Sequence, residues 1–125
     1  MRTAESVARD WILRVKNVFV LSVAGFSSVA AAGDMTGVIR EVHLGPVYGT
    51  KVFLKIDGTA TTLPPSCQTD TGYKFVFDAD SPTGRALLAT ALAAQVSGQN
   101  VKLNGYNECN LFGTVEDLRW LSLGD

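Results

Sequence analysis

The run from Ser81 to Leu103 restricts the choice of folds more than any other part of this chain. Ser81 carries the hydroxyl of a good helix N-cap, Pro82 suits the first helical position, and Gly98 suits a left-handed stop. Between them lies an Ala/Leu-rich segment, Arg85 to Ser97, and after Gly98 the chain turns to the alternation Val101-Lys102-Leu103. One helix of about four turns is therefore predicted, set among strand-like runs on both sides.

Thr36 to Leu44 reads as the first strand, with Val38, Val42 and Leu44 on one face and Ile39, Glu41 and His43 on the outer one; Arg40 interrupts the apolar line. Gly45-Pro46 and Gly49 mark a turn. Lys51 to Ile56 alternates cleanly, Val52, Leu54 and Ile56 inward and Phe53 outward, and Asp57-Gly58 reads as the next turn. Thr59 to Leu63 extends until Pro64-Pro65 stops it. Tyr73 to Asp78 puts Tyr73, Phe75 and Phe77 on one face, which reads as core, with a ligand-lining role as the second reading of Tyr73. After the helix come Asn100–Gly105, with Val101 and Leu103 inward, and Val115–Leu123. The last run changes phase between Leu118 and Leu121, as a β-bulge or a strand end buried on both sides would require. Trp120 in it reads as core, with stacking on a sugar as its second reading.

In the helix, Leu88, Leu92 and Val96 form one apolar line and Leu87, Ala91 and Ala94 a second. That surface is wider than one core contact needs, so the helix is either wrapped on two sides or meets a partner subunit. The element order β-β-β-α-β-β suits a mainly β fold with one helix. The reading adopted is a small Greek-key barrel of the OB type, the helix plugging one end. A flat α+β sheet is the alternative; a closed barrel leaves no exposed strand edges.

Residues 33–125 form that single domain, and 1–32 read as a secretory leader. Arg14 and Lys16 precede an apolar run from Val18, too short to span a membrane comfortably, that ends in Ala30-Ala31-Ala32. Glu5 and Asp10 are irregular in a leader, and a misassigned start or a retained amphipathic helix would account for them. Of 11 basic and 12 acidic residues, four and two respectively precede Gly33, so the remainder is mildly acidic and offers no basic patch for nucleic acid. Cys67 and Cys109 are the only cysteines, and an even count in an exported, secreted or periplasmic chain reads as one disulfide. Closing a loop of about 43 residues stabilises a fold by roughly 4 kcal/mol in the chain-entropy model. Metal spacing is absent: His43 is the sole histidine, and there is no CxxC.

The residues for catalysis are equally sparse. No G-x-S-x-G elbow accompanies His43, and no cysteine stays free once the disulfide forms. The acidic pairs Asp78/Asp80 and Glu116/Asp117 read as solvated turn or strand residues rather than a glycosidase pair. No glycine loop for a phosphate or cofactor is present. The expectation is a non-enzymatic binding protein without cofactor. Its candidate surface is the outer face of the first two strands, the strand-start pair Asp34 and Thr36, Tyr73 and Trp120. His43 reads as an ordinary surface residue or as a pH-sensitive interface group.

Thr36-Gly37-Val38-Ile39 through Phe53-Leu54-Lys55-Ile56-Asp57-Gly58, and the Leu87-to-Gly98 helix running into Gln99-Asn100-Val101-Lys102-Leu103, resemble the B subunits of subtilase cytotoxin and typhoid-type toxins. The resemblance implies an OB-fold subunit that assembles into a ring, commonly a pentamer, beside an A subunit, and binds sialylated host glycans. Thr36 matches the family's sugar-contacting serine at the start of the first strand. The sequence departs in its cysteines: Phe53-Leu54-Lys55 lacks the one the toxin subunits carry, and Cys109 precedes the last strand. Two expectations stand together: a secreted, oligomeric glycan-binding module, or a periplasmic or secreted interaction protein, an inhibitor or accessory subunit, without sugar binding.

Overall fold

The computed structural model describes residues 32–124, so the expected leader, with Trp11, lies outside the described residues apart from Ala32. The elements are β1 (Asp34–Leu44), β2 (Lys51–Ala60), β3 (Phe75–Asp78), α1 (Pro82–Ser97), β4 (Asn100–Gly105) and β5 (Glu116–Leu123). They follow the predicted order. The sheet runs β1-β2-β3-β5-β4 and closes through β4 on β1 into a five-stranded barrel. Neighbours are antiparallel except β3 and β5, which pair in parallel at Phe75–Glu116 and Val76–Asp117. The flat sheet is thus set aside.

Alternation fills the barrel. Val52, Leu54 and Ile56 of β2 meet Phe75 and Phe77 of β3, Val101 and Leu103 of β4, and Leu118 of β5 in one buried cluster. Ile39 also belongs there, at 1% exposure, which corrects its expected outward face. The cause is an extra residue: the β1–β2 register steps from Ile39–Ile56 to Glu41–Lys55, leaving Arg40 as a bulge. Below it Gly37 and Ile39 point in; above it Val42 does, while Glu41 and His43 turn outward. Leu44 at the strand end is exposed rather than inward. The bulge expected in the last strand is present too. Asn104 pairs with Trp120 and Gly105 with Leu118, so Arg119 is the extra residue and Leu118 and Leu121 both face the core. Trp120 is therefore exposed, not buried.

Asp57-Gly58 forms no turn, and β2 runs through it to Ala60. Gly58 pairs with Gly37, and the strands approach so closely that a Cβ on Gly58 would lie 2.1 Å from the Thr36 carbonyl oxygen. The glycine is needed for that approach, not for a turn conformation.

The helix begins and ends as its caps dictate. The Ser81 hydroxyl accepts the Gly84 N–H at 2.9 Å, Pro82 opens the helix, and Gly98 is left-handed (φ 67°) with its N–H on the Ala94 carbonyl. It packs on β1 and β5 and inserts Ala91 and Ala94 fully into the core, with Leu87 and Leu88 beside them. Of the two expected apolar lines, the alanine line is buried, and Leu92 and Val96 stand in solvent, Val96 at 84%. The segment from Thr61 to Lys74 folds back against the starts of β1 and β5, with the Thr61 N–H on the Asp34 carbonyl and the Glu116 N–H on Gln68 Oε1. Cys67 there is bonded to Cys109 of the β4–β5 loop, Cα atoms 6.1 Å apart.

Gly58→Ala forces a methyl group into backbone and is expected to lower stability by about 1–3 kcal/mol in urea unfolding. Gly45→Ala, where nothing lies within 4 Å, is the control, with an expected change within about 0.5 kcal/mol. Equal midpoints for the two variants would contradict the close β1–β2 approach.

Candidate functional site

The Arg40 bulge brings the outward residues of β1 beside the outward Phe53 of β2, with His43 paired to Phe53 in register. Phe53, Val76 of β3 and Val115 form a second buried cluster on the outside of the barrel, separate from the main core. Three loops fold their aromatic side chains over it.

The first is the β1–β2 loop, where Pro46–Tyr48 makes a single 3-10 turn closed by the Tyr48 N–H on the Gly45 carbonyl at 2.9 Å. That turn sets the Tyr48 ring 5.0 Å from Phe53. The second is the β4–β5 loop. The buried Asp117 carboxylate accepts the N–H groups of Asn110 and Leu111 at 3.1 Å each, and Phe112 lands edge-on against Phe53, centroids 4.9 Å apart at 87°. The third is the approach to β3. Asp70 Oδ1 accepts the N–H groups of Gly72 and Tyr73 at 2.8 Å each, and Gln68 Nε2 donates to the Tyr73 carbonyl at 2.8 Å. These bonds place the Tyr73 ring 5.7 Å from Phe53 and 5.2 Å from His43. Edge-to-face contacts of this kind add roughly 0.5–1.5 kcal/mol each beyond buried area.

The result is a recess of about 110 Å³ with Phe53 as its floor and His43, Tyr48, Asp70, Tyr73 and Phe112 as its wall. Its inner half is a satellite core that fastens the loops. Its outer half, the half-buried Tyr48, Tyr73 and His43 and the exposed edge of Phe112, is open to a ligand. Glu41 supplies its polar edge. It accepts the Tyr73 hydroxyl at 2.7 Å, lies 3.4 Å from His43 Nδ1, and has Lys55 Nζ at 3.9 Å. The hydrogen bond to Glu41 holds the Tyr73 phenol up at about 12, and burial and the carboxylate's charge add to it. Flat apolar rings beside fixed hydrogen-bonding groups can stack against one face of a planar or chair-shaped ligand and fix its hydroxyls.

Of the residues singled out in the sequence, Tyr73 enters the recess; its strand starts only at Phe75, so it faces away from Phe75 and Phe77. Glu41, His43 and Phe53 join it. Thr36 is exposed on β1 between Thr59 and Lys102, five residues before Glu41 and so about 16 Å along the strand. Asp34 is tied down: its N–H donates to the Thr62 hydroxyl at 2.8 Å, and its carboxylate accepts Asn104 Nδ2. Thr36 and Asp34 are thus not brought together with Tyr73. Tyr48, Asp70 and Phe112 had not been singled out. For Tyr48 and Phe112 the local signals are a Tyr two residues after Gly-Pro and a Phe three residues beyond a cysteine; Asp70 lies in a polar run that carries none.

A larger cavity of about 450 Å³ lies under the Thr61–Lys74 segment, with Glu116, Gln68, Asp70 and Phe75 among its walls. The acidic pairs are taken up in structural hydrogen bonds. Asp78 accepts from the Thr50 hydroxyl and the Asp80 N–H, which hold its carboxyl below the usual range. Glu116 and Asp117 are buried rather than solvated, and both accept backbone N–H groups of the β4–β5 loop, Glu116 from Asn107 and Asp117 from Asn110 and Leu111. Among the described residues no three His, Cys, Asp or Glu are grouped to hold a metal ion. No described helix is long and apolar enough to cross a membrane. No family model, curated protein or solved structure matches the chain.

The raised phenol makes a direct readout. In the folded protein Tyr73 is expected to ionise near pH 12, and Glu41→Gln to return it toward the ordinary 10.0, followed by NMR or by absorbance against Tyr73→Phe. Because the folded value exceeds the unfolded one, the contact contributes fully below about pH 10 and is lost as the pH climbs through 12.

Proposed function

We propose that this chain is an exported, non-catalytic binding module built on an OB-type barrel, which takes a saccharide in the aromatic recess over Phe53. The observation that carries this reading is the position of the recess. In OB barrels the outer face of strands 2 and 3 and the loops β1–β2 and β4–β5 bind oligonucleotides or oligosaccharides. Here Phe53, Tyr48 and Phe112 come from β2 and those two loops. The strand order with β3 parallel to β5 suits the same fold. Glu41 and Asp70 at the rim disfavour a polyphosphate backbone and suit a ligand read through its hydroxyls. A disulfide and a leader-like N-terminal sequence support export to the periplasm or beyond.

NMR titration with a panel of sialylated and neutral oligosaccharides tests the site. Saturable shifts are expected at Tyr48, Tyr73 and Phe112, and Tyr48→Ala or Phe112→Ala is expected to weaken binding about tenfold. Thr36→Ala reports separately on the position implied by the toxin-subunit resemblance. Shifts that follow Thr36 alone would move the site to the start of β1, and a flat panel would remove sugar binding.

The exposed Leu92 and Val96 on α1, and Trp120 and Leu123 on β5, favour a homo-oligomer, a ring of about five subunits in the toxin-like reading. The same surface suits the second reading, an inhibitor or accessory subunit that holds a different protein. Native mass under non-reducing conditions separates them: a discrete oligomer is expected, and Val96→Glu is expected to dissociate it. A monomer at high concentration would favour the second reading.

A further inference from the structure

Glu116, the first residue of β5, is a carboxylate at 1% exposure. Its Oε2 accepts two backbone N–H groups, from Gly33 at 3.1 Å and from Asn107 at 3.0 Å. Among the described residues no cationic side chain pairs with it. Burial pushes its carboxyl above the usual range, the two N–H groups pull the other way, and Asp34 and Asp117 push further up. Lys74 and Asp70 are the other charged groups on the cavity wall it shares. A carboxylate shut away without a counter-charge is costly to a fold.

The chain next to it is held in place. The Gly33 carbonyl accepts the Gly105 N–H at 2.9 Å, and the Thr62 hydroxyl donates to the Ala32 carbonyl while accepting the Asp34 N–H. Position 33 has no room for a side chain, since a Cβ there would lie 2.3 Å from Glu116 Oε1. The peptide bond before this glycine follows Ala30-Ala31-Ala32, the small-residue end of the leader-like segment. We infer that hydrolysis of the Ala32–Gly33 bond turns the Gly33 nitrogen into an α-ammonium that pairs with the buried Glu116 carboxylate. The N-terminus made by processing then completes the barrel.

The chemistry is that of a leader-removing endopeptidase. Water supplies the hydroxyl that leaves Ala32 as a carboxylate and the proton that leaves Gly33 as an amine. A free α-amine has a pKa of about 7.7–8.0, so it takes a further proton from solvent at neutral pH. The new cation lies where the amide N–H now reaches Oε2, so the pair forms without rearranging the backbone. This inference rests on the leader reading and is independent of the sugar site.

Two measurements test it on the protein exported from the full chain. N-terminal sequencing is expected to begin at Gly33, and any other start overturns the inference. The processed protein, which keeps every strand, the helix and the disulfide, is then compared with the same protein N-acetylated at Gly33. The acetyl group preserves the carbonyl that Thr62 binds and removes only the charge. At pH 7 acetylation is expected to raise the unfolding constant about tenfold or more. In Glu116→Gln it is expected to have no such effect. An equal effect in both backgrounds, or none in either, overturns the pairing.

If Glu116→Gln does not fold, the pH dependence decides. Pairing raises the amine's pKa above its unfolded value, so the free-versus-acetyl difference is full below about pH 7.7 while Glu116 stays ionised, is lost as the pH rises through the folded value of the amine, and also fades in acid as Glu116 takes up a proton. A difference that persists unchanged into alkali is also incompatible with an ion pair.

Discussion

The extra residue at Arg40 in β1 determines which side of the barrel receives each later side chain of that strand. A strand alternates with period two, so one inserted residue transfers everything beyond it to the opposite face. Below the bulge Ile39 completes the core. Above it Val42 takes over the inward role, and Glu41 and His43 come out beside Phe53. The Arg40 guanidinium itself reaches Asp57 at 2.9 Å on the surface, an exposed pair of little energetic weight. Without the bulge there would be neither an intact apolar interior nor an acidic edge to the aromatic recess.

The recess also depends on loops that carry few apolar contacts of their own. They are held by buried and half-buried polar groups. Asp117 gathers the β4–β5 loop, and Gln68 gathers the approach to β3 while its Oε1 accepts the Glu116 N–H. The Cys67–Cys109 bond joins those two loops directly. Roughly 4 kcal/mol from that closure is a large share of the 5–15 kcal/mol that stabilises a typical domain. The helix, by contrast, is held to the barrel by Ala91, Ala94 and their apolar neighbours. Apolar packing thus fastens the helix, whereas hydrogen bonds and a disulfide fasten the loops around the recess and Glu116.

Glu116 shows how a local departure from core chemistry is tolerated. Its neighbours on the inward surface are Gly33 and Gly105, and a Cβ on either would meet its carboxyl group. Two missing side chains provide the space, and two backbone N–H groups provide the hydrogen bonds. Asn107 adopts a left-handed conformation (φ 64°) in the course of donating one of them. The arrangement accommodates the shape and the hydrogen bonding of a carboxylate while leaving its charge to be balanced from outside the side-chain set.

The sequence by itself determined the order of elements, the limits of the helix, the inward line Val52-Leu54-Ile56 and the pairing of its only two cysteines. Each of these is set within a short window, by capping groups and by period-two alternation, or by there being a single choice. The phase change near Leu118 was legible for the same reason, because the apolar residues themselves carry it. Arg40 gave only an interruption, and whether it was a bulge or a polar residue in a regular strand depended on its pairing with β2. Asp57-Gly58 has the local chemistry of a turn, but the close approach of Gly37 made it mid-strand. The recess joins His43, Tyr48, Phe53, Tyr73 and Phe112, and Glu116 meets a glycine 83 positions away. Only tertiary structure decided those groupings, because register and barrel closure are properties of paired strands and no window along one strand contains them.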